Sequence, residues 1–477
     1  MPIQNFLRVK KIKDGMTVFN RQIQISISLL EYTLIILSSV LLGIWAVENT
    51  IALRNILLVI GFIVSIMYFK RLYRDGAFRR VAYKNWIPFL LIGLMFFWVI
   101  AHYFIFSRYP EIQLQELRST WLRAFLAATV GASTGFALQK KWASINLLWL
   151  GIGLSFTYLL FQYLLRVYVE KNVFVIDWYG GYYIYKGKIN GVLMGSLFFC
   201  GLGSAWIDRL RLKSFNPTLA NTYLPLAGMA LTLYAYVFVF DTRNGLGIAF
   251  LLVLAWTLYA VIWFLMRGDY KNLVDKYRGV ILTLVIAIGV FSSLAYKQVQ
   301  HNSGWLTMAE DVKIASQIEK YPNWQNPGRY GYPKTDSGRP VAGNTYERVA
   351  WALAGFDLIP QNIFGIGVLT KPFNRLLLEK YPGATPGSTH SAWIEFTLAF
   401  GVPGLFFLFS TLVSILYLTI TSPGTPCGVS IISITLMLML LYALGELSTA
   451  HGVEILFYLM ALLAGLRMPS ILAINKL

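Results

Sequence analysis

The stretch DTRNGLGIAFLLVLAWTLYAVIWFLM (residues 241–266) decides the class of this protein. After a short charged turn, residues 245–266 carry no charge at all, and about 20 apolar residues suffice to cross the hydrocarbon core of a bilayer. The run LLEYTLIILSSVLLGIWAV (29–47) has a similar character. The chain of 477 residues is 57% hydrophobic and only 13% charged. We therefore predict an all-α polytopic membrane protein.

Apolar runs recur along nearly the whole chain, and they predict about twelve transmembrane helices. The predicted spans lie near residues 29–47, 51–69, 86–106, 119–138, 145–165, 190–206, 224–240, 245–266, 279–296, 391–420, 428–445 and 452–466. The first run is of full spanning length and no cleavage site of small residues follows it, so we interpret it as a signal anchor.

Positive residues are concentrated in alternate loops. The leader, the segment KRLYRDGAFRRVAYK (70–84) and the loops at 208–223 and 267–278 are rich in Lys and Arg, whereas the loops between them carry few. By the positive-inside rule both termini are predicted to be cytoplasmic. Topology and contact with anionic lipids account for the net charge of +19, so the composition does not call for a nucleic-acid partner.

One segment interrupts this alternation on the predicted outer face. Residues 297–390 are too long for a simple connection and are rich in Tyr, Trp, Pro and Gly. The segment TYERVAWALAGFDL (345–358) predicts a helix with Val349, Ala352, Leu353 and Phe356 on its apolar face, and 372–381 predicts another. We therefore divide the chain into a membrane domain (1–296), a folded cap (297–390) and C-terminal membrane helices (391–477).

Three residues of the outer face are candidates for chemistry. Arg243 lies in a tight Gly-rich turn before a helix, where a guanidinium and free N–H groups suit phosphate oxygens; it is equally typical of an interfacial arginine that reaches lipid headgroups. Arg348 lies in the predicted cap helix, where a solvated face is the plainer explanation. His390 is able to accept a proton from a hydroxyl near neutral pH, or is an exposed loop histidine without a role.

The stretch STHSAWIEFTLAFGVPG (388–404) leads from the cap back into the membrane. Ser391 and Glu395 lie one turn apart at the start of a helix, and Gly401 and Gly404 flank a proline that interrupts it. A broken helix at membrane depth needs protein or a water-filled cavity to cover its freed backbone groups. We therefore expect a pocket here, roofed by the cap, with His390 at its mouth.

Other cations are predicted to lie near the same face. Arg54 and Arg123 are close to the outer ends of their spans, where they either add positive potential to this pocket or anchor their helices, and Lys188 is a further supporting candidate. No two of the four histidines have metal-ligand spacing, and no Asp-x-Asp-like carboxylate pair is present. The sequence therefore predicts neither a metal nor a cofactor.

These motifs together resemble the O-antigen ligase and O-antigen polymerase superfamily of bacterial inner-membrane proteins. That family has an arginine in an outer turn, a large outer loop with a second arginine, and a signature of His, then Asn, Ser or Gln, nine residues and Gly-x-x-Gly. Here the signature reads His390-Ser391, nine residues and Gly401-Val402-Pro403-Gly404. The segment RNGLG (243–247) resembles the family's Arg-x-x-x-Leu turn, with Gly247 in place of the leucine.

The resemblance implies a metal-independent, inverting glycosyltransferase of the GT-C type at the periplasmic face of the inner membrane. Its donor would be a glycan on undecaprenyl diphosphate and its acceptor a sugar hydroxyl of the lipid A core. Arg243 and Arg348 would bind the diphosphate, and His390 would be the catalytic base. Apolar grooves between the spans would hold the polyprenyl tail.

Related activities stay open at this point. An O-antigen or exopolysaccharide polymerase, or an oligosaccharyltransferase acting on proteins, would use the same donor. Polymerases often carry two sizeable outer loops, and residues 166–189 form a smaller second one here. A transporter or flippase of lipid-linked glycan would instead predict paired ionisable residues at mid-membrane and an internal repeat, and the sequence shows neither.

Overall fold

The computed structural model describes residues 28–78, 81–181, 184–211, 219–267, 288–302, 304–422 and 425–468. This part of the chain is helical, and its only β-type pairings are two isolated bridges, Val47 with Tyr185 and Lys334 with Pro340. The principal helices are α1 Ser28–Ile44, α2 Ile51–Arg74, α3 Ile87–Ile105, α4 Pro110–Lys140, α5 Ile145–Lys171, α6 Lys188–Arg211, α7 Leu219–Tyr234, α8 Arg243–Arg267, α9 288–301, α10 Gly304–Ala315, α11 Gly343–Leu358, α12 Pro372–Lys380, α13 Ala392–Ile420, α14 Gly428–Leu444 and α15 Ala450–Arg467.

The helices agree with the predicted multi-pass membrane protein. Eight described helices are long and apolar enough to cross a membrane, and three shorter apolar ones, α1, α7 and α14, lie at other predicted spans. The predicted span 279–296 falls partly on residues outside the described part of the chain, as do both termini. A total of twelve spans and cytoplasmic termini therefore stay predictions.

Helix α15 lies at the centre of the bundle because glycines allow close approach to α4. A Cβ atom added at Gly131 would lie 2.1 Å from the carbonyl oxygen of Tyr458, and one at Gly465 would lie 2.6 Å from that of Ala132. Small residues at such crossings let two backbones meet, which favours association inside a bilayer. This packing fixes the first turn of α15, and with it His451 and Glu454.

Residues 304–391 fold on one end of the bundle and overlap the cap predicted at residues 297–390. From here on, the cap means residues 304–391. The cap contains α10, a 3-10 turn Pro322–Gln325, a one-turn helix Pro327–Tyr330, α11 and α12. Its apolar core includes Trp324, Trp351 and Phe373 and is completed by Ile394 and Leu398 of α13. The buried Glu116 of α4 joins the cap to the bundle, because it accepts hydrogen bonds from the Leu369 and Thr370 backbone N–H groups at 2.8 Å each.

The two cap helices predicted from the sequence are confirmed, but the predicted buried face of α11 was wrong. Phe356 is 57% exposed, and the buried positions are instead Tyr346, Ala350, Ala354 and Leu358. Helix α11 packs between α10 and the start of α13. Contacts with those elements, rather than the spacing of its largest apolar residues, decide which side faces inward.

The helix break predicted at Gly401 is confirmed, but protein rather than an open cavity covers it. Gly401 has φ 71°, and a Cβ atom there would lie 2.2 Å from the carbonyl oxygen of Ile363. The carbonyls freed on α13 accept hydrogen bonds from the cap and from α3. Their partners are Ile366 N to Leu398 O (3.0 Å), Gly367 N to Ala399 O (2.7 Å) and Trp98 Nε1 to Phe400 O (2.8 Å). The break therefore provides a docking point for the cap.

Candidate active site

His390 is held in a strained position just before α13. Its φ is 54°, in the left-handed region, which costs a non-glycine residue free energy unless its surroundings impose it. The imposing group is Glu395, which is 1% exposed. Its carboxylate accepts hydrogen bonds from Thr389 N (2.8 Å), Thr389 Oγ1 (2.9 Å) and Phe373 N (3.4 Å). Glu395 therefore folds the chain back at His390 and ties it to α12.

The His390 ring lies between an aromatic face and a carboxylate. It stacks on Trp351 with ring centroids 5.7 Å apart, and its Nδ1 lies 3.2 Å from Oε1 of Glu446. Burial, reinforced by the positive charge of Arg348, lowers the pKa of His390 to about 4. The ring is therefore neutral at physiological pH. A proton on Nδ1 would face Glu446 and leave the Nε2 lone pair free to accept another.

Arg348 reaches the same place from α11. Its Nε donates to Asn344 Oδ1 at 2.7 Å, and its Nη1 donates to the carbonyl oxygen of Leu444 at 3.4 Å. Burial lowers the pKa of Arg348 while Glu446 opposes that shift, and burial raises the pKa of Glu446 while Arg348 opposes it. Arg348 therefore faces both His390 and Glu446 from the cap.

Arg243 arrives from the membrane domain through a distorted helix end. Helix α7 finishes in a π-helical turn, Ala235–Val239, and Thr242 N then donates to the carbonyl oxygen of Tyr236 at 2.9 Å. The widened turn places Arg243 at the first residue of α8, where its Nη1 donates to Gly304 O at 2.9 Å. The neighbouring Asn244 donates to Leu444 O (3.4 Å), the same carbonyl that Arg348 uses. The start of α8 and Arg348 thus meet at the end of α14, and the charge of Arg243 acts on Arg348.

Lys188 completes the cationic group at the first residue of α6. Its Nζ donates to the carbonyl oxygen of Asp241, and the charges of Asp241, Arg243 and Arg348 all act on it. The Asp241 side chain is engaged elsewhere, accepting from Gln298 Nε2 at 2.5 Å. Lys188, Arg243, Arg348, His390 and Glu446 therefore form one cluster, which we call the His390 cluster.

Two other predicted supporting residues are placed elsewhere. Arg54 and Arg123 both pair with Glu454 of α15, their Nε atoms lying 3.4 Å and 2.5 Å from its two oxygens. The remaining predicted residues have structural roles in α13. Ser391 is the N-cap residue of α13, Gly401 makes the break, and Gly404 lies near Trp98 and Met95 of α3.

Sequence reasoning missed Glu446 and Trp351 as neighbours of His390. Glu446 lies in the short connection between α14 and α15, within the segment GELSTAHGVE (445–454). An acidic residue in a short outer turn between two spans was the available signal. Among the described residues, no group of three His, Cys, Asp or Glu side chains is arranged to hold a metal ion.

Comparison with known protein families gives a match that covers Arg243, Arg348 and His390 of this site. Residues 227–409 match the family model described as O-Antigen ligase. This region belongs to the O-antigen ligase superfamily. The matched O-antigen ligase region includes Arg243, Arg348, His390 and the whole cap, whereas Lys188 and Glu446 lie outside it. No curated protein sequence matches the chain. The match to this family domain supports a glycosyltransferase of the ligase or polymerase type, and the apolar helices support a membrane protein.

Proposed function

We propose that this protein is an O-antigen ligase, which transfers a glycan from undecaprenyl diphosphate to a sugar hydroxyl of the lipid A core. The observation that carries the proposal is the His390 cluster, in which one candidate base and three cations meet between the cap and the membrane helices. A diphosphate leaving group needs cations, and an attacking hydroxyl needs a base. The cluster supplies both at the periplasmic face of the inner membrane, on the predicted topology.

The proposed reaction is a single displacement without a metal, in a GT-C type site. The acceptor oxygen attacks the anomeric carbon while the bond from that carbon to the diphosphate oxygen breaks, so the configuration inverts. The hydroxyl proton passes to Nε2 of His390. The electron pair of the broken bond stays on the diphosphate, and Arg243, Arg348 and Lys188 stabilise the added charge. Apolar surfaces between the spans hold the polyprenyl tail.

Donor binding activates the base in this scheme. Burial, and after it the positive charge of Arg348, lowers the pKa of His390 in the free protein, so His390 is neutral but weakly basic. A bound diphosphate would offset the charge of Arg348 and so remove that part of the lowering, which raises the pKa. Glu446, 3.2 Å from Nδ1, would then stabilise the imidazolium as it forms. His390 is therefore a stronger proton acceptor when the donor is present.

Glu446→Gln is expected to lower kcat about 10- to 100-fold, because hydrogen bonds to charged groups contribute about 1.5–3 kcal/mol. The KM for the lipid-linked donor should stay unchanged, because the Glu446 carboxylate is an anion and does not bind the donor's phosphate groups. Steady-state transfer by the reconstituted protein measures both constants. Glu379→Gln is the matched control, because its carboxylate is half exposed on the cap and pairs with Arg108 at 3.7 Å. Equal kcat values for the two variants would contradict the role of Glu446.

A deletion strain distinguishes the ligase from a polymerase that uses the same donor. For a ligase, we expect the lipid A core to lose all polymer while lipid-linked polymer accumulates in the membrane. Cores bearing a single repeat unit would instead identify an O-antigen polymerase, the second candidate function within the family. Electrophoresis of lipopolysaccharide, with extraction of the lipid-linked fraction, reads out both. An unchanged lipopolysaccharide profile would exclude both the ligase and the polymerase role.

A further inference from the structure

A second group, formed by the cations Arg54, Arg123 and Lys186 together with the neutral ring of His451, lies apart from the His390 cluster. Its centre is Glu454 in α15, which is fully buried and accepts hydrogen bonds from Arg123 Nε (2.5 Å) and Trp45 Nε1 (2.9 Å). Arg54 is 2% exposed, and its Nη1 donates to the Trp45 carbonyl oxygen at 2.9 Å. We call these residues the Glu454 cluster.

The cluster holds more positive than negative charge. Glu454 is the only carboxylate within 4 Å of Arg54 or Arg123 in the described part of the chain, and Lys186 makes no ion pair there. A purely structural pair would need one cation for each carboxylate. Arg54 is buried, and Arg123 and Lys186 are partly buried. Withdrawing more cations than anions from water costs free energy unless a bound anion balances their charge. The surplus therefore points to an anionic ligand.

The remaining hydrogen-bonding capacity of the cluster also suits an anion. Nη1 of Arg54 lies 3.3 Å from Nδ1 of His451, and an arginine is only a donor. Nδ1 must therefore accept, which places the ring proton on Nε2 and makes that atom a donor. Both oxygens of Glu454 are already engaged. His451, Arg123 and Lys186 thus offer donors beside a carboxylate whose two oxygens are already engaged.

The cluster is reachable and lies beside the proposed active site. The Arg123 side chain is 22% exposed, and Lys186 and His451 are half-buried. Lys186 N donates to Ala46 O at 3.0 Å, which brings this lysine next to Trp45, and its charge acts on His451. Glu446, in the connection 445–449, belongs to the His390 cluster, and His451, five residues later, belongs to the Glu454 cluster. An amphiphile in the membrane is able to place a polar group in each.

We propose that the Glu454 cluster is a second binding site, separate from the diphosphate site, for a phosphate group of a membrane amphiphile. Such a group belongs either to a phosphorylated lipid A core or to an anionic phospholipid headgroup. The inference rests on the proposed function only if the phosphate belongs to the lipid A core. In that case the site would hold the acceptor while Arg243 and Arg348 hold the donor. Arg123 and Lys186 bind phosphate oxygens, and Arg54 orients His451.

Direct binding tests the proposal without any transfer reaction. The full-length protein in detergent is titrated with phosphorylated lipid A core, with the same molecule after enzymatic dephosphorylation, and with phosphatidylglycerol, and bound lipid is counted by native mass spectrometry. Lys186→Gln is expected to weaken binding of at least one phosphate-bearing probe roughly tenfold, and Lys186→Gln with Arg123→Gln further. Arg118→Gln is the matched control, since Arg118 is exposed on the same helix as Arg123.

The pattern of binding identifies the source of the phosphate. Loss confined to phosphorylated lipid A core assigns the site to the acceptor, and loss confined to phosphatidylglycerol assigns it to a lipid headgroup. Equal binding of both probes by wild type, the Lys186 variants and Arg118→Gln would overturn the proposal. Lys186→Gln keeps the test decisive if the double variant fails to fold, because it removes no ion pair. If wild-type protein binds a phosphate-bearing probe but transfers no glycan to an acceptor, that result would count against the proposed function and not against the second site.

Discussion

His390→Ala is expected to lower glycan transfer about 10²–10⁴-fold, the usual contribution of a positioned general base. The structure gives the reason, because the neutral ring lies against Glu446 and Arg348 in a backbone conformation that Glu395 imposes. Single-turnover transfer from a lipid-linked donor, by protein reconstituted in vesicles, measures the rate. The thermal unfolding midpoint should stay within a few degrees of wild type, because the His390 side chain lies at the edge of the cap core and is 19% exposed.

The pH profile provides a second readout of the same residue. With a pKa of about 4 in the free protein, His390 is in its proton-accepting form throughout pH 5 to 8, and kcat/KM should show no limb from it there. In the donor complex the pKa is higher, so the acid limb of kcat should appear at higher pH. Full transfer by a folded His390→Ala protein, or an acid limb unchanged by this substitution, would exclude His390 as the base.

Arg348→Gln and Arg243→Gln are each expected to lower kcat about 10²–10³-fold, the usual effect of removing one donor that stabilises charge in a transition state. Both guanidinium groups are anchored to backbone carbonyls, of Leu444 and Gly304 respectively. They are therefore positioned before the donor arrives and need no reorganisation as charge develops on the diphosphate. Lysine in either position should recover only part of the rate, because it cannot bind two oxygens in parallel.

The control for both variants is Arg329→Gln, which removes the same charge from an exposed position of the cap. Arg329 has its guanidinium carbon 5.5 Å from the Tyr330 ring centroid and lies in a one-turn helix apart from the cluster. Transfer by Arg329→Gln should equal that of wild type. If Arg348→Gln lost no more activity than this control, the proposed diphosphate site would be wrong. A higher pKa of His390 is also expected in Arg348→Gln, since the charge that lowers it is gone.

Several parts of the structure were predictable because the physics behind them is local. A bilayer requires long apolar helices, so composition alone indicated the membrane spans. Amphipathic spacing predicted α11 and α12, and a Gly-Pro-Gly interruption predicted the break in α13. The arginines and the histidine were selected because few residue types bind phosphate or accept a proton at neutral pH.

Other parts depended on contacts between distant segments. Glu446 meets His390, and Glu454 joins Arg54 to Arg123, only because α15 packs into the centre of the bundle. Inside a membrane domain nearly every helix face is apolar, so periodicity does not tell which side faces a partner. In the cap, contacts of α11 with α10 and α13 decided its buried face, which its own spacing did not show.

The sequence by itself determined that this chain crosses a membrane many times, carries a folded cap and offers Arg243, Arg348 and His390 for chemistry. Those properties follow from hydrophobicity, local spacing and the chemistry of single side chains. The tertiary structure decided that Arg348 and His390 meet at Leu444 and Glu446, that Arg243 joins them through the start of the cap at Gly304, and that Arg54 and Arg123 form a separate cluster. Helix packing made that division, because small residues such as Gly131 and Gly465 fix how closely and at which level the helices meet.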